Sequence, residues 1–84
     1  MNKQHRLLVV DDEQDMLLLL ETLLKKEGFD VETAMSGEEA ITKMEDNTPD
    51  LVITDLFMGG MNGMQLMESI HSNTPLLPVI ILSG

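Results

Sequence analysis

Hydrophobic and polar positions alternate along this chain in two rhythms, and each rhythm predicts a different element. Leu7-Leu8-Val9-Val10, Leu51-Val52-Ile53-Thr54 and Val79-Ile80-Ile81-Leu82 are short, nearly continuous apolar runs. Runs of this length, rich in β-branched residues, read as strands buried on both faces, the habit of parallel sheets. Each run stops at a polar signature: Asp11-Asp12 after the first, Asp55 after the second and Ser83 after the third. A fourth segment, Val31 to Ala34, alternates in polarity instead and predicts an edge strand.

Between the strands the period changes to that of a helix. From about Gln14 to Lys26, Met16, Leu17, Leu19, Leu20, Leu23 and Leu24 fall in one wide apolar sector, with Leu18, Glu21 and Lys25 opposite. A sector this broad predicts burial against more than the sheet alone. Gly28 reads as the left-handed residue that closes this helix. Ser36-Gly37-Glu38-Glu39 reads as a capping box that opens a second helix, running to about Asp46 before Asn47-Thr48-Pro49-Asp50 breaks it. A three-glycine loop, Leu56 to Gly63, leads to a third helix ending near Ser72 and burying Met64, Leu66, Met67 and Ile70. Pro75 and Pro78 bracket the turn into the last strand. The predicted order is βαβαβαβ, a doubly wound parallel α/β sheet.

This order turns the polar signatures into one site. Open α/β sheets bind ligands beyond the carboxyl ends of their strands, so Asp11, Asp12, Asp55 and Ser83 would converge on one rim. Crowded carboxylates repel unless a cation lies among them, and Mg²⁺ suits hard oxygen ligands of this kind. A carboxylate beside that ion could act as a nucleophile toward phosphorus. Ser83 and backbone amides near Phe57 and Gly84 could then bond phosphoryl oxygens. Taken alone, the Asp11-Asp12 pair could equally be a cap for the first helix. Asp55 across the rim favours the metal site.

Net charge adds an exclusion. Fifteen acids against five bases give −10, which leaves no surface suited to nucleic acid or to anionic membranes. Glu21, Glu27, Glu32, Glu38, Glu39, Glu45, Asp46 and Glu68 take solvent-facing positions and need no ligand. The absence of cysteine removes thiolate chemistry, and the longest apolar run, Met16 to Leu20, cannot span a bilayer. The chain is expected to be cytoplasmic. The methionines at 58, 61, 64 and 67 read as core and loop packing, His71 as a partly covered helix residue and His5 as solvated.

Four stretches, Leu7 to Glu13, Thr33 to Ala40, Pro49 to Asp55 and Pro78 to Gly84, together resemble the receiver domains of bacterial two-component response regulators. The resemblance covers residues 1–84 in one register and implies a flavodoxin-like receiver truncated after its fourth strand. It implies that Asp55 accepts a phosphoryl group from a sensor histidine kinase or a phosphotransfer protein. It further implies that Asp12, Asp55 and the Phe57 carbonyl ligate Mg²⁺, with Asp11 acting through water. Ser83 takes the position of a switch hydroxyl. Such a chain is a switch and not a metabolic enzyme, although it assists its own phosphorylation.

Two departures matter. Gly59 stands where the family usually has a proline. The family also continues through a helix, a strand and a final helix that supply a phosphate-contacting lysine, for which Lys3, Lys25, Lys26 and Lys43 offer no substitute. In the family's strand order 2-1-3-4-5 the fourth strand is then an open, uncharged edge, so a homo-oligomer is expected. One rival reading is an assembly or kinase-interaction module without phosphotransfer. Another, an aspartate-nucleophile phosphatase, usually wants an acid two residues after the nucleophile, where this chain has Phe57.

Overall fold

A computed structural model describes residues 4–83. It contains β1 (Arg6–Val10), α1 (Gln14–Lys26), β2 (Asp30–Ala34), α2 (Gly37–Asp46), β3 (Leu51–Asp55), α3 (Gly63–Asn73) and β4 (Val79–Leu82). All pairings are parallel and the strand order is β2-β1-β3-β4. The predicted element order and class are therefore those observed, with β2 at one edge.

The two sheet faces are covered unequally. Leu8, Val10, Ala34 and Val52 point into the larger core, where Ala40 of α2 and Leu66 and Ile70 of α3 close over them. Leu77, from the turn before β4, joins this core while its neighbour Leu76 is 94% exposed. The proline-bracketed turn thus contributes an anchor that its position between two prolines did not signal. His71 ties the same turn to α3, its Nε2 lying 2.9 Å from the Leu77 carbonyl that accepts from it. On the other face Val9, Leu17 and Val31 form a smaller core, with Leu20, Leu24, Phe29 and Ile53 packed around it.

The wide apolar sector of α1 is only partly used. Leu17 is buried and Leu20 and Leu24 pack on the sheet, but Met16, Leu19 and Leu23 are exposed. The reason is placement: α1 covers β1 and β2, so one flank of its sector has no element against it among the described residues. Leu18 points to the opposite flank, beside Thr33 and Met35, and is exposed as expected. Helix α3 needs a similar correction. Its buried stripe is Gly63, Leu66 and Ile70, whereas Met64 is exposed and Met67 half-buried. The helix rests on the sheet along one line, and Met64 lies about 100° from Gly63 around the axis. Met58 and Met61 do pack against the core.

Local signals decide the element ends. Gly28 has φ +97° and its N–H donates to the Lys25 carbonyl, while the Phe29 N–H reaches back to Leu24. At α2 the expected capping box forms on one side only. Ser36 Oγ accepts from the Glu39 N–H at 3.0 Å, but the Glu39 carboxylate accepts from the Met35 N–H at 2.8 Å and not from that of Ser36. That N–H holds the Glu39 carboxyl below its ordinary range; partial burial opposes the shift and Lys43 reinforces it. A complete capping box sits instead at α3, between Asn62 and Gln65.

Gly63 brings α3 against the end of β3. Its N–H donates to the Leu56 carbonyl at 2.9 Å, and a Cβ there would stand 2.6 Å from the Asp55 carbonyl oxygen. The obstruction is backbone, which cannot swing aside. Alanine would gain up to about 1 kcal/mol in helix propensity over glycine, but overpacking costs about 1–3 kcal/mol. Gly63→Ala is therefore expected to lower stability by about 1–2 kcal/mol in urea denaturation. A neutral or stabilised variant would show that α3 can retreat from Asp55 freely.

Candidate functional site

The register of β1 on β3 builds the rim. Val10 pairs with Thr54, so Asp11 and Asp55 emerge side by side where the two central strands end. One carboxylate oxygen from each of Asp11, Asp12 and Asp55 can be chosen so that all lie within 4.8 Å of one another. Asp11 is buried, Asp55 half-buried and Asp12 exposed, so the cluster grades from the sheet end out to water.

Each acid is held differently. Asp11 donates its N–H to the Ala34 carbonyl at 3.1 Å and accepts the Glu13 N–H on Oδ1 at 2.9 Å. That second bond folds the β1–α1 turn locally; it is not a cap, since Glu13 occupies the N-cap position without a side-chain cap bond. The helix-capping alternative for the acid pair is therefore not what the structure adopts. Asp12 Oδ2 accepts from the Gly59 N–H at 3.2 Å, across to the loop after β3. The backbone at Asp55 is fixed by the fully buried Thr54, whose Oγ1 donates to the Asp55 carbonyl at 3.0 Å. Gly63 packs on that same carbonyl from above.

The remaining expected residues fall around this cluster. Ser83 follows β4 on the same rim; Asp55 pairs with Leu82, and the Leu56 N–H donates to the Leu82 carbonyl at 2.9 Å. Phe57 lies two residues beyond Asp55 in the loop and is 70% exposed. Lys25 is paired with Glu21, and Lys43 reaches both Glu39 and the Thr33 carbonyl, so neither faces the acids. Lys26 lies in the last turn of α1. Lys3 and the Gly84 amide lie outside the described residues. Sequence reasoning missed the Gly59–Asp12 bond and the Asn62–Gln65 box. The second had a readable signal, Asn-x-x-Gln before an apolar stripe; the first depends on tertiary approach and had none.

The donor set fits a small hard cation. An octahedral Mg²⁺ with ligands at about 2.0–2.1 Å keeps opposite oxygens about 4 Å apart, within reach of carboxylates already inside 4.8 Å. Soft-metal chemistry is not served, because every donor in the group is oxygen.

Proteins of known kind resemble this chain in sequence and fold. The chain belongs to the response regulator receiver domain family, whose profile matches residues 7–84. It is 45% identical to the transcriptional regulatory protein GlrR of Escherichia coli (strain K12) over 99% of its own length and 19% of the relative's. It is 36% identical to the alkaline phosphatase synthesis transcriptional regulatory protein PhoP of Bacillus subtilis (strain 168), over all of this chain and 34% of that protein. The chain thus spans about a third or less of these curated relatives. Among solved structures, the response regulator TrrA of Thermotoga maritima, in complex with Mg²⁺–BeF, superposes with a TM-score of 0.91 at 38% identity. That match covers 95% of this chain and 70% of the other.

Three like charges so close must repel when no cation is bound. A pair of unit charges at 4–5 Å interacts by about 1 kcal/mol even in water. Asp55→Asn removes two such pairs and is therefore expected to raise stability in chelator-containing buffer by about 1–2 kcal/mol, read as a higher urea midpoint with the m-value unchanged. A lowered midpoint would mean that the Asp55 carboxylate is stabilised by its surroundings and not strained by them.

Proposed function

We propose that this chain accepts a phosphoryl group on Asp55 from a phosphohistidine of a sensor histidine kinase or phosphotransfer protein, with Mg²⁺ at the acid cluster. The observation that carries the reading is the convergence of Asp11, Asp12 and Asp55 within 4.8 Å at the ends of adjacent strands. Asp55 is the nucleophile: one carboxylate oxygen forms a bond to phosphorus as the phosphorus–nitrogen bond of the phosphohistidine breaks. The donor imidazole leaves with the electron pair, and Asp55 becomes an acyl phosphate. Thr54 and Gly63 hold the Asp55 backbone still, which keeps that oxygen aimed at the incoming group.

Asp12, Asp55 and the Phe57 carbonyl would hold Mg²⁺, with Asp11 acting through water, and the bound ion would supply charge stabilisation for the transferring phosphoryl group. That the TrrA regulator was solved in complex with Mg²⁺–BeF supports a magnesium-dependent reading. Ser83, at the end of the neighbouring strand, donates a hydrogen bond to a phosphoryl oxygen. The chain is then a cytoplasmic switch. No helix among the described residues is long and apolar enough to cross a membrane.

Intact mass after incubation with acetyl phosphate tests the reading. A single phosphoryl adduct is expected, absent in Asp55→Asn and reduced about tenfold or more when Mg²⁺ is chelated. No adduct on protein with a native circular dichroism spectrum would overturn it.

A second reading, an assembly module, has its own support. The β2 edge is guarded by Asp30 and Glu32 and by Lys43, which occupies the Thr33 carbonyl. The outer edge of β4 carries no charge, and Ile80 and Leu82 are exposed on the face that Ile53 shares. Met16, Leu19 and Leu23 of α1 are likewise exposed. An apolar surface beside a strand edge that has no partner among the described residues favours self-association. Sedimentation velocity from micromolar to millimolar protein is expected to show a concentration-dependent dimer or higher species. A monomer throughout would remove this reading.

A further inference from the structure

The loop from Leu56 to Asn62 contains neither helix nor strand, yet it carries the Phe57 peptide that the proposed site requires. Its ends are fixed: the Leu56 N–H bonds the Leu82 carbonyl, and the Gly63 N–H bonds the Leu56 carbonyl. Between those ends one bond ties the loop to the other half of the rim, from the Gly59 N–H to Asp12 Oδ2 at 3.2 Å. It joins residues 47 apart in sequence and holds an exposed acid whose partner acids lie deeper in the sheet.

Gly59 is not there for its backbone freedom. Positive φ in this loop belongs to Gly60, at +78°, and a Cβ on Gly59 would meet nothing within 4 Å. An alanine would fit. What the position supplies is an N–H, and the proline expected from the family resemblance has none. A carboxylate has two oxygens and about four lone-pair sites, so accepting this N–H leaves Asp12 free to ligate a cation as well.

We propose that the Gly59 N–H is a positioning group for the divalent-cation site. It latches the loop to Asp12, so that Asp12 and the Phe57 peptide are already adjacent when the cation arrives. The inference rests on the magnesium-dependent reading given above. Coupling of this kind is reciprocal: the latch strengthens cation binding, and the cation tightens the latch.

Two substitutions separate the N–H from the rest of the residue. Isothermal titration of the full chain with MgCl₂ is expected to give Gly59→Ala an affinity within about twofold of the parent, because the N–H is kept. Gly59→Pro is expected to bind about three- to tenfold more weakly, as suits loss of one charge-assisted hydrogen bond at an exposed rim. Equal affinity in the proline variant, or an equal loss in the alanine variant, would overturn the proposal. Amide exchange in the unmodified chain covers the case in which Gly59→Pro does not fold. The Gly59 N–H is expected to exchange about tenfold or more below its unstructured rate, and more slowly again with Mg²⁺. Exchange at the unstructured rate, unmoved by Mg²⁺, would overturn the latch. A parent chain that binds no Mg²⁺ would strike the functional reading itself, whereas binding indifferent to the Gly59 N–H strikes the latch alone.

Discussion

Everything at the rim depends on the parallel pairing of β1 with β3 in one register. Leu7 faces Leu51 and Val10 faces Thr54, so both central strands run out of apolar residues at the same height. A slip of one residue would exchange the two sheet faces and bury charge. The register is enforced from within, because Leu8, Val9, Val10 and Val52 are all essentially inaccessible to solvent. Burial of such side chains contributes about 1.5–3 kcal/mol each, more than the repulsion of about 1 kcal/mol per acid pair that the same register creates. The core therefore wins, and the acids are kept together against their own charge.

This division explains what was legible from the residues alone. Parallel strands announce themselves by unbroken apolar runs, and the acids that follow them are visible because the polarity changes abruptly. Asp11, Asp12, Asp55 and Ser83 could all be placed on one rim for that reason. Features set by approach between distant segments could not. Nothing in Gly59 says that its N–H meets Asp12, and nothing in Glu39 says that it prefers the Met35 amide to that of Ser36. The breadth of the α1 sector was legible, but not which flank the sheet would take. That depends on where the helix lies across the strands, and it lies over β1 and β2.

Glycine serves the site in three ways within five positions. Gly60 takes a left-handed turn, Gly63 lets α3 reach the Asp55 carbonyl, and Gly59 offers an amide in place of an expected ring. A loop rich in glycine is costly to order, so its restraints carry unusual weight. Here they are the Asn62–Gln65 box, the Gly63–Leu56 bond and the Gly59–Asp12 bond. The first two belong to the start of α3 and form whatever the state of the rim. Only the third reports on the acids.

The support beneath the rim is correspondingly uneven. Asp55 stands on β3, which is paired on both sides, covered by the larger core and pinned by Thr54 and Gly63. Ser83 follows β4, which pairs only with β3 among the described residues and exposes Ile80 and Leu82 on one face. Motion is cheapest where few apolar contacts must be broken. A phosphoryl acceptor wants its nucleophile fixed and the groups that respond to the new charge free to shift. On the proposed reading, Asp55 and Ser83 divide these two requirements between neighbouring strands, β3 the more firmly packed among the described residues and β4 the less.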